Sequence, residues 1–422
     1  MPVVATLVLI GDRLIDGTGR DPVENVAVVV EDGRIVAAGP RSQLTIPADA
    51  QVIEDDDLTL LPGFMDMHVH LGMLQGINFT RMLMTPGSFS LFHAVPHAAR
   101  TLQAGVTTVR DAGLTPVGVK LAAAHGFFPA PRMELAVSIL GQTGGHADDL
   151  MPCGHRLPFG AGLDVPHGVV DGPDAMLRKV REVFRAGADW IKLCTSGGVL
   201  SSADAPTAAQ LTVDEIRVAV EEAATHGKRV MSHAMSAQGI KNAVRAGVVS
   251  IEHGCLIDEE GIELMRRAGA YLVPTLVAPI DVIANSERSG AVPEEMVAKA
   301  RSVAKQHTEG ITAAIAAGVK IAMGTDSAVG PHGANLRELG EMVRCGMTPM
   351  QAIEASTRVP AELLQREAEL GTLGRGKLAD VVACSGDPLA NVALLADPNR
   401  IRVVVKEGEV VRDLQRQKVP VA

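Results

Sequence analysis

Phe64-Met65-Asp66-Met67-His68-Val69-His70 opens as an apolar run and closes on two histidines two positions apart. Residues i and i+2 of a β-strand point to the same face, so both imidazoles can face one partner. Similar short runs recur at 107–110, 135–140, 190–194, 229–232, 249–251, 272–275 and 320–323. Most end in polar or glycine-rich residues and are followed by amphipathic stretches, among them 173–186, 213–226, 237–246 and 259–268. Eight strands alternating with helices predict a closed parallel (β/α)8 TIM barrel. The segment 277–317 is longer than one crossover needs and predicts an extra helix.

Outward from this region the pattern changes. Residues 1–60 read as all-β, with β-branched runs at 3–10, 26–30 and 34–38 and an Asp32-Gly33 hairpin signal. The same character returns at 380–384, 401–406 and 409–412, with Glu407-Gly408 as a turn. The two ends are therefore expected to form one small β-sandwich domain. The predicted division is 1–60 and 366–422 for the sandwich and 61–365 for the barrel.

Composition narrows the function. Of 422 residues, 47% are hydrophobic but only 2% aromatic, so an aliphatic core is expected. A net charge of −10 without a Lys/Arg block argues against nucleic acid as the main partner. No apolar run reaches the ~18 residues of a membrane span. The apolar stretch 1–10 lacks a charged leader and a cleavage site and reads as a strand, not a signal peptide. Five scattered cysteines fit reduced thiols in a cytoplasm better than a disulfide framework.

Active sites of such barrels lie at the C-terminal ends of the strands. Those ends carry His68, His70, Lys192, His233, His253 and Asp326. Two alternating histidines alone are weak evidence of a metal; the set at one mouth is strong. Lys192 lies in the apolar strand Trp190-Ile191-Lys192-Leu193-Cys194, where a buried ammonium is costly. Either it pairs with a carboxylate such as Asp111, or its amine has taken up CO2 as a carbamate, an oxygen ligand able to bridge two metals. His146, in Gly141-Gln142-Thr143-Gly144-Gly145-His146, is either an exposed loop residue or a donor to a substrate carbonyl. The apolar loop 71–92 is either a substrate wall or a subunit contact. Arg110 and Asp111 end the second strand and are read as a mutual pair; His332 is read as a rim residue.

The segment from Pro62-Gly63 to His68-Val69-His70, with Lys192, His233, Glu252-His253-Gly254 and Gly324-Thr325-Asp326-Ser327, resembles the motif set of the amidohydrolase superfamily, binuclear-metal branch. The likeness covers the whole chain and is nearest to the imidazolonepropionase-like and Xaa-Pro dipeptidase (prolidase)-like group, which includes ochratoxin-hydrolysing amidohydrolases. It implies two divalent metal ions, zinc being expected, with manganese, cobalt or iron compatible. His68, His70 and Asp326 would hold one, His233 and His253 the other, and carboxylated Lys192 would bridge them. The resemblance also favours a functional His146, makes Asp326 the proton shuttle, and implies a homo-oligomer. The expected substrate is a small-molecule amide or dipeptide: Xaa-Pro-type dipeptides or N-acyl amino acids, including ochratoxin-type amides. Imidazolonepropionase or deaminase relatives usually lack the bridging lysine, so Lys192 argues against them. A lactonase or phosphotriesterase would share the centre. A scaffold relative typically loses ligands, and none of the six is missing here.

Overall fold

The computed structural model describes residues 6–55, 57–151, 153–157, 164–290 and 292–414. The expected strand over 3–10 is described from Leu7, and residues 1–5 lie outside the described residues. Both ends of the chain do meet in one sheet. Its order runs Glu409–Asp413, Ile401–Lys406, Val381–Ser385, Leu58–Pro62, Leu7–Leu14, Val23–Glu31, Arg34–Pro40, with Gln51–Glu54 also paired to Leu7–Leu14. The expectation of a sandwich needs correcting, because this is one continuous eight-stranded sheet. Leu58–Pro62 is the reason. It pairs in parallel with Leu7–Leu14 and antiparallel with Val381–Ser385, welding the two ends together edge to edge.

Alternation along the strands divides the apolar residues between the two faces. Leu7, Leu9, Val26, Val28 and Val30 join Val381, Val403 and Val405 in one core, whereas Val8, Ile10, Ala27 and Val29 form another. The two ends of the sheet also meet, with Ala379 N donating to the Gly33 carbonyl (2.9 Å), so the sheet curls upon itself. Two hairpin tips meet where it does so. Gly33 has φ +73 and leaves no room for a Cβ, which would lie 2.7 Å from the Glu407 carbonyl oxygen.

The middle of the chain carries the parallel strands. Lys320–Ile321, Tyr271–Val273, Ser250–His253, Arg229–Ala234, Trp190–Cys194 and Ile139–Leu140 form one arc; Phe64–Val69, Val106–Asp111 and Arg132–Leu135 form a second. The ladder is not continuous between the arcs. At one junction the backbone is joined through Met67 N to Met323 O (2.9 Å) and Asp326 N to His68 O (2.7 Å). At the other the third predicted strand is broken in two. Val137 sits between the pieces at φ +63, a conformation costly for a β-branched residue. The eighth strand is also shorter than expected.

Helices occupy the expected connections. Pro173–Arg185 buries Met176, Val180 and Val183 at helical spacing, and Val213–Thr225 starts with a Thr212/Glu215 capping box. The long seventh connection holds two helices, Val277–Ser289 and Glu294–Ala316. The segment read as a loop, 71–92, already contains the helix Phe79–Leu83 and the start of Gly87–Gln103. No helix among the described residues is long and apolar enough to cross a membrane. All five cysteines are free.

Candidate metal centre

The six residues at the strand ends come together at one mouth. His68 Nε2 and His70 Nε2 lie 3.6 and 3.3 Å from Asp326 Oδ1. The ligand-type atoms of these three residues all lie within 4.8 Å of one another. The His253 ring is centred 5.0 Å from His68 and 4.6 Å from His233. Lys192 Nζ reaches to 3.5 Å from His68 Nε2. His253, Thr275 and Asp326 all have positive φ (+71, +50 and +58), although none is glycine. Such strain persists only where surrounding contacts over-determine it, and it clusters at functional sites.

Each imidazole has one nitrogen tied to an acceptor, which assigns its proton and leaves the other nitrogen open. His70 Nδ1 donates to the Gly113 carbonyl (3.0 Å). His253 Nδ1 donates to Thr275 Oγ1 (2.7 Å), whose own proton goes to the Pro274 carbonyl. His233 is held the other way round, with Nε2 on the Gly197 carbonyl (3.1 Å) and Nδ1 free. His68 Nδ1 donates to Glu252 Oε2 (2.8 Å), and Glu252 Oε1 in turn accepts from Arg110 (2.8 Å). Arg110 is fully buried and also donates to the Met67 carbonyl and to Ser250. This corrects the expected Arg110–Asp111 pair. Asp111 instead accepts from Leu71 N and Thr115 Oγ1.

The electrostatics favour ligand-ready forms. Burial pushes His68, His233 and His253 well below the usual imidazole range, whereas at His70 burial is outweighed by the Asp326 carboxylate, which raises it. Burial likewise lowers Lys192. No carboxylate among the described residues forms an ion pair with it, so the Asp111 alternative is excluded by the partners just named. A neutral buried amine is the form that reacts with CO2. Burial works to raise Asp326, but His68, His70 and Lys192 outweigh it and hold the carboxylate ionised. Four oriented imidazoles, a carboxylate held ionised and a buried lysine amine of lowered pKa together make a donor set suited to divalent cations.

His146 is not an exposed loop residue. Its ring stacks on His233 with centroids 4.1 Å apart, and its backbone N–H donates to Gln210 Oε1 (3.0 Å). Its Nδ1 meets Ser201 Oγ at 2.8 Å, and Ser201 passes its own proton to Asp204. Nε2 is therefore the open position. Gly198 makes the fit possible, since a Cβ there would fall 2.3 Å from the His146 ring. His332 also departs from expectation. It is buried and stacked on His97 with centroids 4.3 Å apart, not on the rim.

A cavity of about 310 Å³ opens beside these residues, with Met73, Phe79, Ile139, Leu150 and Met296 in its walls. The segment 71–92 thus supplies part of the wall through Met73 and Phe79, while Met84 and Phe92 face outward, 82% and 71% exposed. Sequence reasoning passed over Glu252 as a contact of His68, and passed over Thr275, Ser201, Asp204 and Gln210 altogether. The one available signal was a carboxylate and an arginine, each inside an apolar strand, needing a partner.

The amidohydrolase family matches residues 59–411, and the chain belongs to it, which with its relatives makes it a hydrolase of carbon–nitrogen bonds. It therefore has a TIM-type barrel beside a second domain. It is 34% identical to an ochratoxinase from Aspergillus niger, over 94% of this chain and 85% of that protein. Among solved structures, a Xaa-Pro dipeptidase with bound methionine in the active site superposes with a TM-score of 0.87 at 34% identity, covering 96% of this chain and 99% of that one. The A. niger ochratoxinase structure superposes with a TM-score of 0.83 at 30% identity, covering 97% and 96%.

Replacing Glu252 by glutamine removes the charge that fixes the His68 proton. Metal affinity is expected to fall about 10–100-fold, read as metal retained against a graded chelator. Unchanged retention would mean that Glu252 does not orient His68.

Proposed function

We propose that this chain is a binuclear zinc-dependent amidohydrolase, a dipeptidase or carboxypeptidase acting on Xaa-Pro-type dipeptides or N-acyl amino acids, ochratoxin-type amides included. The observation that carries the reading is the orientation of the four histidines, each tied by one nitrogen and open at the other. In this reading His68, His70 and Asp326 would hold one ion, His233 and His253 the second, and Lys192, once carboxylated, would supply oxygen ligands to both. We place the end-formed domain at 1–60 and 366–422 and the (β/α)8 barrel at 61–365. Bound there, two divalent ions supply an acidified water and a Lewis acid for the carbonyl.

The chain's own groups do the rest. Asp326, held ionised, takes the proton of the attacking water and returns it to the leaving nitrogen. His146 turns Nε2 toward the cavity. To donate to the carbonyl oxygen it needs a second proton, which burial opposes, lowering its pKa, and which Asp204, 3.8 Å from Nδ1, favours only in part. The apolar walls exclude water around the scissile bond.

The test is metal content per chain together with a screen of Xaa-Pro, Xaa-Arg and N-acyl-phenylalanine amides. About two ions per chain and turnover of one amide class are expected. About one ion, with ammonia released from a heterocycle instead, would move the chain to the deaminase side and leave Lys192 an ordinary buried lysine.

A further inference from the structure

Behind His146 lies a second, smaller cavity of about 50 Å³. It shares His146, His233, His253, Asp326, Leu200 and Val329 with the large cavity, so the two flank the same reacting position. Its remaining walls come from Val199 after the fourth parallel strand, from the ends of the fifth to seventh and from the helices Val277–Ser289 and Glu294–Ala316 packed over them. Met235, Cys255, Ala278, Val282 and Val303 are all buried and present only carbon or sulfur. Two polar residues there are tied into the fold by hydrogen bonds. Thr275 is bonded to His253 and the Pro274 carbonyl, and His307 Nε2 to the carbonyls of His253 and Pro274.

We propose that this small cavity is a specificity subsite for a compact aliphatic group on one flank of the scissile amide, the bulkier flank lying in the 310 Å³ cavity. The inference rests on the amide-hydrolysis reading and adds to it the shape of the substrate. A water-sized group occupies about 10–15 Å³ on this measure, so the space takes roughly three to five carbons. Glycine's hydrogen would leave the cavity unfilled, and an aromatic ring exceeds it. Against the aliphatic part of these walls a charged group would lose its hydration. Within the proposed substrate class this favours unsymmetrical amides, short and branched on one side and broad on the other, over amides that are aromatic on both flanks.

Two matched substrate series test this on the metal-loaded protein. In one, a benzoyl group is constant and the amine is glycine, alanine, valine, leucine or phenylalanine. In the other, phenylalanine is constant and the acyl group is acetyl, isobutyryl, isovaleryl or benzoyl. One series is expected to peak in kcat/KM at its short branched members, and which series does so tells which flank enters the small cavity. Ala278→Leu fills the space from one wall. It is expected to lower the branched members by about tenfold or more relative to the smallest member of the series. Val303→Ala, which enlarges the space, is expected to move the peak to a larger member, and it decides the matter if A278L does not fold. A flat profile in both series, or a peak that neither folded variant moves, overturns the subsite while leaving amide hydrolysis standing. No turnover of either series by the metal-loaded wild type overturns the amide reading and this inference with it.

Discussion

Asp326→Asn is expected to keep most of its metal and lose about 10²–10⁴-fold in kcat. Asparagine preserves the shape of the side chain and one oxygen for a cation beside His68 and His70. What it cannot do is accept a proton. The native carboxylate is suited to that role because its surroundings keep it ionised despite burial, and because its backbone, at φ +58, is fixed by the hydrogen bond to the His68 carbonyl. The measurement is kcat alongside metal per chain in the same preparation. Near-normal turnover with full metal would remove Asp326 from the proton path.

Lys192→Ala is expected to leave about one metal ion of two, with activity at or near background. The reasoning is electrostatic. A cationic lysine beside two divalent ions would repel them, so only its carboxylated form is compatible with full occupancy. The site meets the requirement for making that form, because Lys192 lies buried beside His68, without a carboxylate partner among the described residues and with its pKa lowered by burial. Short carboxylic acids fit the space left by the side chain, and millimolar acetate or propionate should restore part of the second ion and part of the rate. Metal analysis with and without added acid reads this directly. Full occupancy in the alanine variant without any acid would show that Lys192 is not the bridge.

Much of this centre was legible beforehand because strand ends are legible. A run such as Trp190–Cys194 announces its direction by composition, and a lysine in the middle of it announces an unmet charge. What escaped was whatever depends on contacts between distant segments. Glu252 reads locally as the residue before a ligand; only the fold brings it to His68 and Arg110. Ser201 and Asp204 lie in a loop of ordinary turn composition, and their link to His146 appears only in three dimensions. The broken third strand was hidden for the opposite reason. Val137 has a strong local preference for extended structure, and the surrounding fold overrides it. The ends of the chain were readable as β-structure but not as one sheet, because Leu58–Pro62 is a short apolar segment with no turn signal of its own.

That shared sheet has a consequence for how the protein comes into being. Leu60 pairs with Ala383 and Thr59 with Cys384, so the strand Leu58–Pro62 acquires these neighbours only after the whole intervening barrel region has been made. Until then Leu58–Pro62 presents an open, apolar edge, the kind of surface on which nascent chains associate wrongly. Loop closure over so long a separation is slow compared with forming the local strand–helix units between. The central units can therefore assemble early during translation, while the sheet that joins the termini closes last. Its closure is the step that commits the chain to its final form, and a chain interrupted before Val381 would carry every residue proposed for catalysis yet could not close this sheet.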